Sequence, residues 1–156
     1  CSTDQKDRFW NELQETYDFF SKDQIVHVIG DFNARVGSRR QQDCSDIQEA
    51  IGPHELGKSN ENGERLINFC IANKLRVEHT FHKHKTSQKA TWFHPRFGSP
   101  GVIDMALVQR EHAKHAADIR VLPSVDTRSD HKLCRMKLIQ CPDGVSHPVD
   151  RSVQKR

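Results

Sequence analysis

With 156 residues, 35% apolar and 29% charged, the chain suits one domain, or a large piece of one, with a lean core and a wet surface. Its 24 basic residues nearly balance 21 acidic ones for a net charge of +3, which excludes the lopsided composition of a dedicated nucleic-acid binder but admits a phosphate-bearing partner. No apolar run reaches the length of a membrane span and no charged-then-apolar leader opens the chain, so a soluble intracellular protein, nuclear or cytoplasmic and not secreted, is expected.

The five cysteines, Cys1, Cys44, Cys70, Cys134 and Cys141, are odd in number and lack the close pairs of a zinc site or disulfide scaffold, which points to a reducing compartment. The chain opens with Cys-Ser-Thr and enters a helical pattern almost at once, as a cut from something longer would.

Over residues 3–21 the spacing of Phe9, Leu13, Tyr17 and Phe20 predicts an amphipathic helix, capped by Ser2, Thr3 or Asp4. IVHVI at 25–29 is a β-branched run that predicts a strand buried on both faces. Residues 35–61 mix Gly, Pro, charge and amide without period and predict a long loop. Asn62 is then placed to cap a helix that buries Leu66, Ile67, Phe69, Cys70 and Ile71 and ends near Asn73. LRVEHTF, ATWFHP, GVIDMALV, DIRVLP and HKLCRMKLI follow, most of them strand-like, with a possible helix at EHAKHAA. Residues 141–156 are polar, hold two prolines and show no period, so a disordered tail is expected after a domain spanning 1–140.

Three strand ends present acids: GDFNA at 30–34, VIDMALV at 102–108 and RSDHKL at 128–133. Asp31 and Asn33 are one residue apart, and so on one face of an extended chain. Hydrolysing a phosphodiester takes a hard cation against phosphate charge, a group to orient or deprotonate water, and donors aimed at the transition state. Carboxylates and amide oxygens are the ligands magnesium prefers, and an aspartate beside a histidine fixes its tautomer and favours the imidazolium. Asp31, Asn33, Asp104, Asp130 and His131 are residues of those kinds. Each motif by itself is equally compatible with turn formation or a surface cap. HTFHKHK, with His79, His82 and His84, lacks the cysteine pair that would complete a zinc tetrahedron and reads better as a solvated basic loop.

Taken in order, GDFNARVG, GPHELGKSNENGERLINFC, TF with KATW, VIDMAL and RSDHKL resemble the second half of the endonuclease/exonuclease/phosphatase family, from about residue 3 to residue 139. The pattern is most similar to the endonucleases of non-LTR retrotransposons and the craniofacial development protein 2-like proteins related to them. The resemblance implies an α/β fold, the C-terminal half of a four-layered sandwich of two packed, mostly antiparallel sheets with flanking helices. It also implies a magnesium- or manganese-dependent site that cuts DNA, engaged through its phosphate backbone. Carried onto this chain, Asp31 would activate water or protonate the leaving oxygen, Asn33 would hold the scissile phosphate, His131 would contact it and Asp104 would orient His131. Asp130, with Asp31 and Asn33, would hold the metal; Asn60 or Asn62 would touch nucleic-acid backbone, and Thr91-Trp92 would be a packing and positioning segment.

Two departures qualify that expectation. Met105 stands where the family commonly has an aromatic, and Val102 where polar residues are common. The family's opening-strand asparagine, metal-binding glutamate and tyrosine have no match in residues 1–27, so this stretch alone is expected to be inactive and poorly soluble. The rival expectation is a catalytically dead, element-derived remnant acting as a binding module. A third keeps the fold and changes the substrate to inositol phosphates or sphingomyelin, against which the Asn-x-Asn-Gly-Glu-Arg-Leu stretch argues.

Overall fold

The computed structural model describes residues 2–22, 24–40 and 42–139; the expected disordered tail at 141–156, with Cys1 and Cys141, lies outside the described residues. Helix α1 runs over Thr3–Phe20, and its start is fixed by a capping box in which the Ser2 hydroxyl accepts the Gln5 N–H while the Gln5 side chain accepts the Ser2 N–H. Its inward stripe is Trp10, Leu13 and Tyr17. Phe9 and Phe20, expected in that stripe, are 47% and 40% exposed, because α1 turns only one narrow side to the protein.

Strand β1 covers His27–Asp31 and pairs antiparallel with β5 (Asp104–Gln109), whose other edge takes β2 (Leu75–Val77). The 25–29 run therefore does not form a strand buried on both faces. β1 starts two residues later and is an edge strand, and Ile29 is 66% exposed. Val28 packs with Met105 and Leu107 of β5 into the main core under α1 and α3 (Glu61–Ala72). Across the register His27 faces Val108, Ile29 faces Ala106 and Asp31 faces Asp104, so these pairs share the opposite face of the sheet. Val108 on that face meets Ala116 and Met136, from the β6–β7 pair of Ala116–Val121 and Cys134–Leu138. Helices and several antiparallel sheets make this a mixed α/β fold.

The expected loop at 35–61 carries a short helix, α2 (Ser45–Ala50), too brief to show a period in the sequence. The cap of α3 is Asn60, not Asn62: the Asn60 side chain accepts the Gly63 N–H, and the helix ends at Asn73. EHAKHAA forms a 3₁₀ turn over Arg110–His115 in place of an α-helix, and LRVEHTF is half strand and half 3₁₀ turn, at Glu78–Phe81. Trp92–Phe93 (β3) and Pro100–Gly101 (β4) form a small hairpin. Among the described residues no helix is long and apolar enough to cross a membrane.

Candidate active site

Asp31 ends β1 and Asp104 begins β5, directly opposite one another, so two carboxylates stand side by side at one corner of the sheet. Like charges placed this way repel. His131 lies against both. Its Nδ1 is 2.9 and 3.2 Å from the two Asp104 oxygens, and its Nε2 is 4.0 Å from Asp31 Oδ2. A carboxylate only accepts hydrogen bonds, so Asp104 fixes the proton on Nδ1 and leaves Nε2 turned toward Asp31. The hydrogen bond that His131 donates to Asp104, reinforced by the charges of Asp104, Asp31 and Asp130, raises the His131 pKa against a smaller opposing effect of burial.

Backbone ties hold this corner rigid. Thr91 is buried, and its hydroxyl accepts the N–H groups of Ile103 and Asp104, which fixes where β5 begins. The Thr91 carbonyl accepts the Lys132 N–H at 2.7 Å, and Trp92 bridges to His131, so one short segment positions both members of the Asp104–His131 pair. The hydroxyl of Ser129 accepts the His131 N–H and that of Thr127 donates to the His131 carbonyl. Neither hydroxyl stands out in the sequence, because their role depends on a chain reversal rather than on a motif.

Beyond Asp31 the chain leaves the strand. Asn33 has φ +48, and its N–H donates to Asp31 Oδ1 at 2.8 Å, a local turn closed by the aspartate itself. Asn33 thus reaches the Asp31 side by a turn, not by the strand alternation expected from the sequence. Its exposed side chain lines the same cavity as Asp31. Asn60 and Asn62 brace this turn: the amide of each donates to the Asn33 carbonyl, and the Asn60 oxygen accepts the Arg35 N–H. Gly63 permits the approach, since a Cβ there would lie 1.8 Å from the Arg35 carbonyl oxygen. The Asn-x-Asn-Gly stretch therefore docks the N-terminus of α3 onto the 32–35 turn.

Asp31, Asp104 and His131 form a group whose ligand atoms all lie within 4.8 Å of one another. Within this group Asp31 Oδ2 accepts no hydrogen bond from the described residues, and Asn33 shares a cavity wall with Asp31. This is an oxygen-rich, solvent-open set of the kind magnesium uses while keeping much of its water. Asp130 lies outside this group, and its carboxylate accepts the Trp92 indole N–H at 3.0 Å, which lowers its pKa. Trp92 is half-buried and edge-on to His94. Val102 and Met105, the two residues that depart from the pattern the sequence resembles, are both buried. Burial pushes the thiol of Cys134, which lines a cavity with Asp104 and His131, up to about 11 and so disfavours the thiolate.

No family model matches the chain. It is 32% identical over 126 residues, 81% of its length, to craniofacial development protein 2 of Tragulus javanicus, and equally to that of Bos taurus. The chain spans about a fifth of the length of these curated relatives, 21% and 20% respectively.

Proposed function

We propose that the chain is the C-terminal half of an endonuclease/exonuclease/phosphatase domain that hydrolyses phosphodiesters, and that its substrate is DNA nicked in the manner of the retrotransposon endonucleases. The observation that carries this reading is the imidazole held between two carboxylates that face each other across β1 and β5. Similarity to craniofacial development protein 2 and the ordered motifs of the sequence support it. Magnesium or manganese, when bound, supplies charge neutralisation at the phosphate. Asp31 and Asn33 are the residues that would hold it.

In this reading Asp104 keeps the His131 ring oriented, and the raised pKa favours the imidazolium, so Nε2–H donates to a non-bridging phosphate oxygen. Asp31 Oδ2, 4.0 Å from that nitrogen, receives the proton of the attacking water or returns one to the leaving oxygen. The Asn33 amide donates to the phosphate from the braced turn. The test is nicking of supercoiled plasmid by the longest polypeptide that carries this sequence. Open circles should form with magnesium and vanish with a chelator or on Asp31→Ala; nicking that survives either treatment overturns the reading.

A further inference from the structure

A cavity of about 330 Å³ that Asp31 and Asn33 line, and His131 does not, is walled by Gln5, Lys6, Phe9 and Trp10 of α1. Its size is at the small end of ligand pockets, roughly 300 to 1,000 Å³, enough for one ring system. Phe9 sits at helical spacing with the core residues Leu13 and Tyr17, yet 47% of it is exposed. Its ring meets Trp10 edge-on, with centroids 5.4 Å apart. Trp10 in turn stacks on Phe32 at 6.1 Å and lies 5.8 Å from Phe69, both of them buried. Phe9 is thus an exposed aromatic ring on a rigid aromatic base.

The polar groups on the rim favour one kind of occupant. Lys6 gives one N–H to Glu61 at 2.8 Å and retains two further donors, and Asn33 presents its amide. An aromatic wall beside a cation and a phosphate-directed amide suits a nucleotide better than an aliphatic ligand or a peptide side chain. We propose that this cavity is a nucleobase subsite, in which an unstacked base of a nucleic-acid strand lies on Phe9 while its phosphate reaches Lys6 and Asn33. The class of ligand rests on the phosphodiesterase reading; the binding does not require turnover.

The experiment compares, at fixed salt, equilibrium binding of a short single-stranded oligonucleotide with that of an abasic oligomer carrying the same phosphates, using the longest polypeptide that carries this sequence. The intact strand should bind on the order of five- to a hundredfold tighter, as one base–aromatic stack contributes. Phe9→Ala should abolish that ratio while leaving abasic binding unchanged, and Phe9→Trp should preserve it, which separates loss of stacking from loss of fold. A ratio near one, or a ratio untouched by Phe9→Ala, overturns the proposal. Plasmid nicking without a base preference would leave the phosphodiesterase reading standing and remove the subsite. A Phe9-dependent preference without nicking would do the reverse.

Discussion

Two of the regions in which histidine meets carboxylate among the described residues do so at nearly the same distance and to different effect. In the turn after β2, His82 Nε2 lies 2.8 Å from Glu78, but Glu78 is fully buried and both of its oxygens already accept from the Arg76 guanidinium at 2.7 Å. Arg76 in turn lies over the Phe81 ring, 4.3 Å from its centroid. Nearby, His84 pairs with Asp118, beside which Arg120 and Arg135 stand at 3.5 and 3.7 Å. Cations there match or outnumber acids, and the groups staple the turn to β6. At the β1–β5 corner two carboxylates share one imidazole, in the open. In the proposed reading, the surplus of acid, and not the pair, is what would draw a cation to that corner.

The largest expected difference between the regions is in activity. His131→Ala should lower plasmid nicking by about 10²- to 10⁴-fold, the range for a positioned acid–base group, whereas His82→Ala should leave the rate unchanged. Equal losses in both variants would erase the distinction. In stability the order reverses. Glu78→Ala strips Arg76 and His82 of a buried partner and should cost about 3 kcal/mol by denaturant unfolding, whereas Asp104→Ala should cost less than about 1 kcal/mol because its pair is partly exposed. Gly63→Ala couples the two properties: with the Arg35 carbonyl in the way, about 2 kcal/mol should be lost and nicking should fall as the Asn33 turn shifts.

The smallest effect concerns pH. The folded-state pKa of His131 is raised above its ordinary value of about 6.5, so the stabilisation from its pairing is fully present below that value and fades as pH rises through the raised one. The stability gap between the wild type and Asp104→Asn should therefore be wider at pH 6 than at pH 9, by less than about 1 kcal/mol given the exposure of the pair. Histidine resonances followed by NMR should show the His131 pKa falling in Asp104→Asn. His79, buried and pushed down to about 3, should show no titration near neutrality in either protein.

Much of this was legible in the sequence, and the failures have physical causes. Helical spacing and the Ser2 cap define α1, and the apolar pattern around Met105 and Leu107 marks the central strand β5. The 25–29 run misleads because β-branched residues alone do not tell an edge strand from a buried one; Ile29 is exposed at such an edge. Asn60 and Asn62 are equally plausible caps by residue type, and only the placement of Gly63 against Arg35 makes Asn60 the cap. The acid-bearing strand ends were visible, but the Asp31–Asp104 register, the left-handed turn at Asn33 and the orientation of Asp130 toward Trp92 arise from long-range pairing. Phe9 was visible as a helical aromatic and hidden as an exposed one.

The claim that the β1–β5 corner holds a hard cation, and the histidine-rich turn does not, is tested most directly by manganese titration of isotopically labelled protein. Paramagnetic broadening should centre on the amides of Asp31, Asn33 and Asp104 and disappear in Asp31→Ala. Broadening centred on His82, His84 and Asp118, or persisting at the corner without the Asp31 carboxylate, would contradict it.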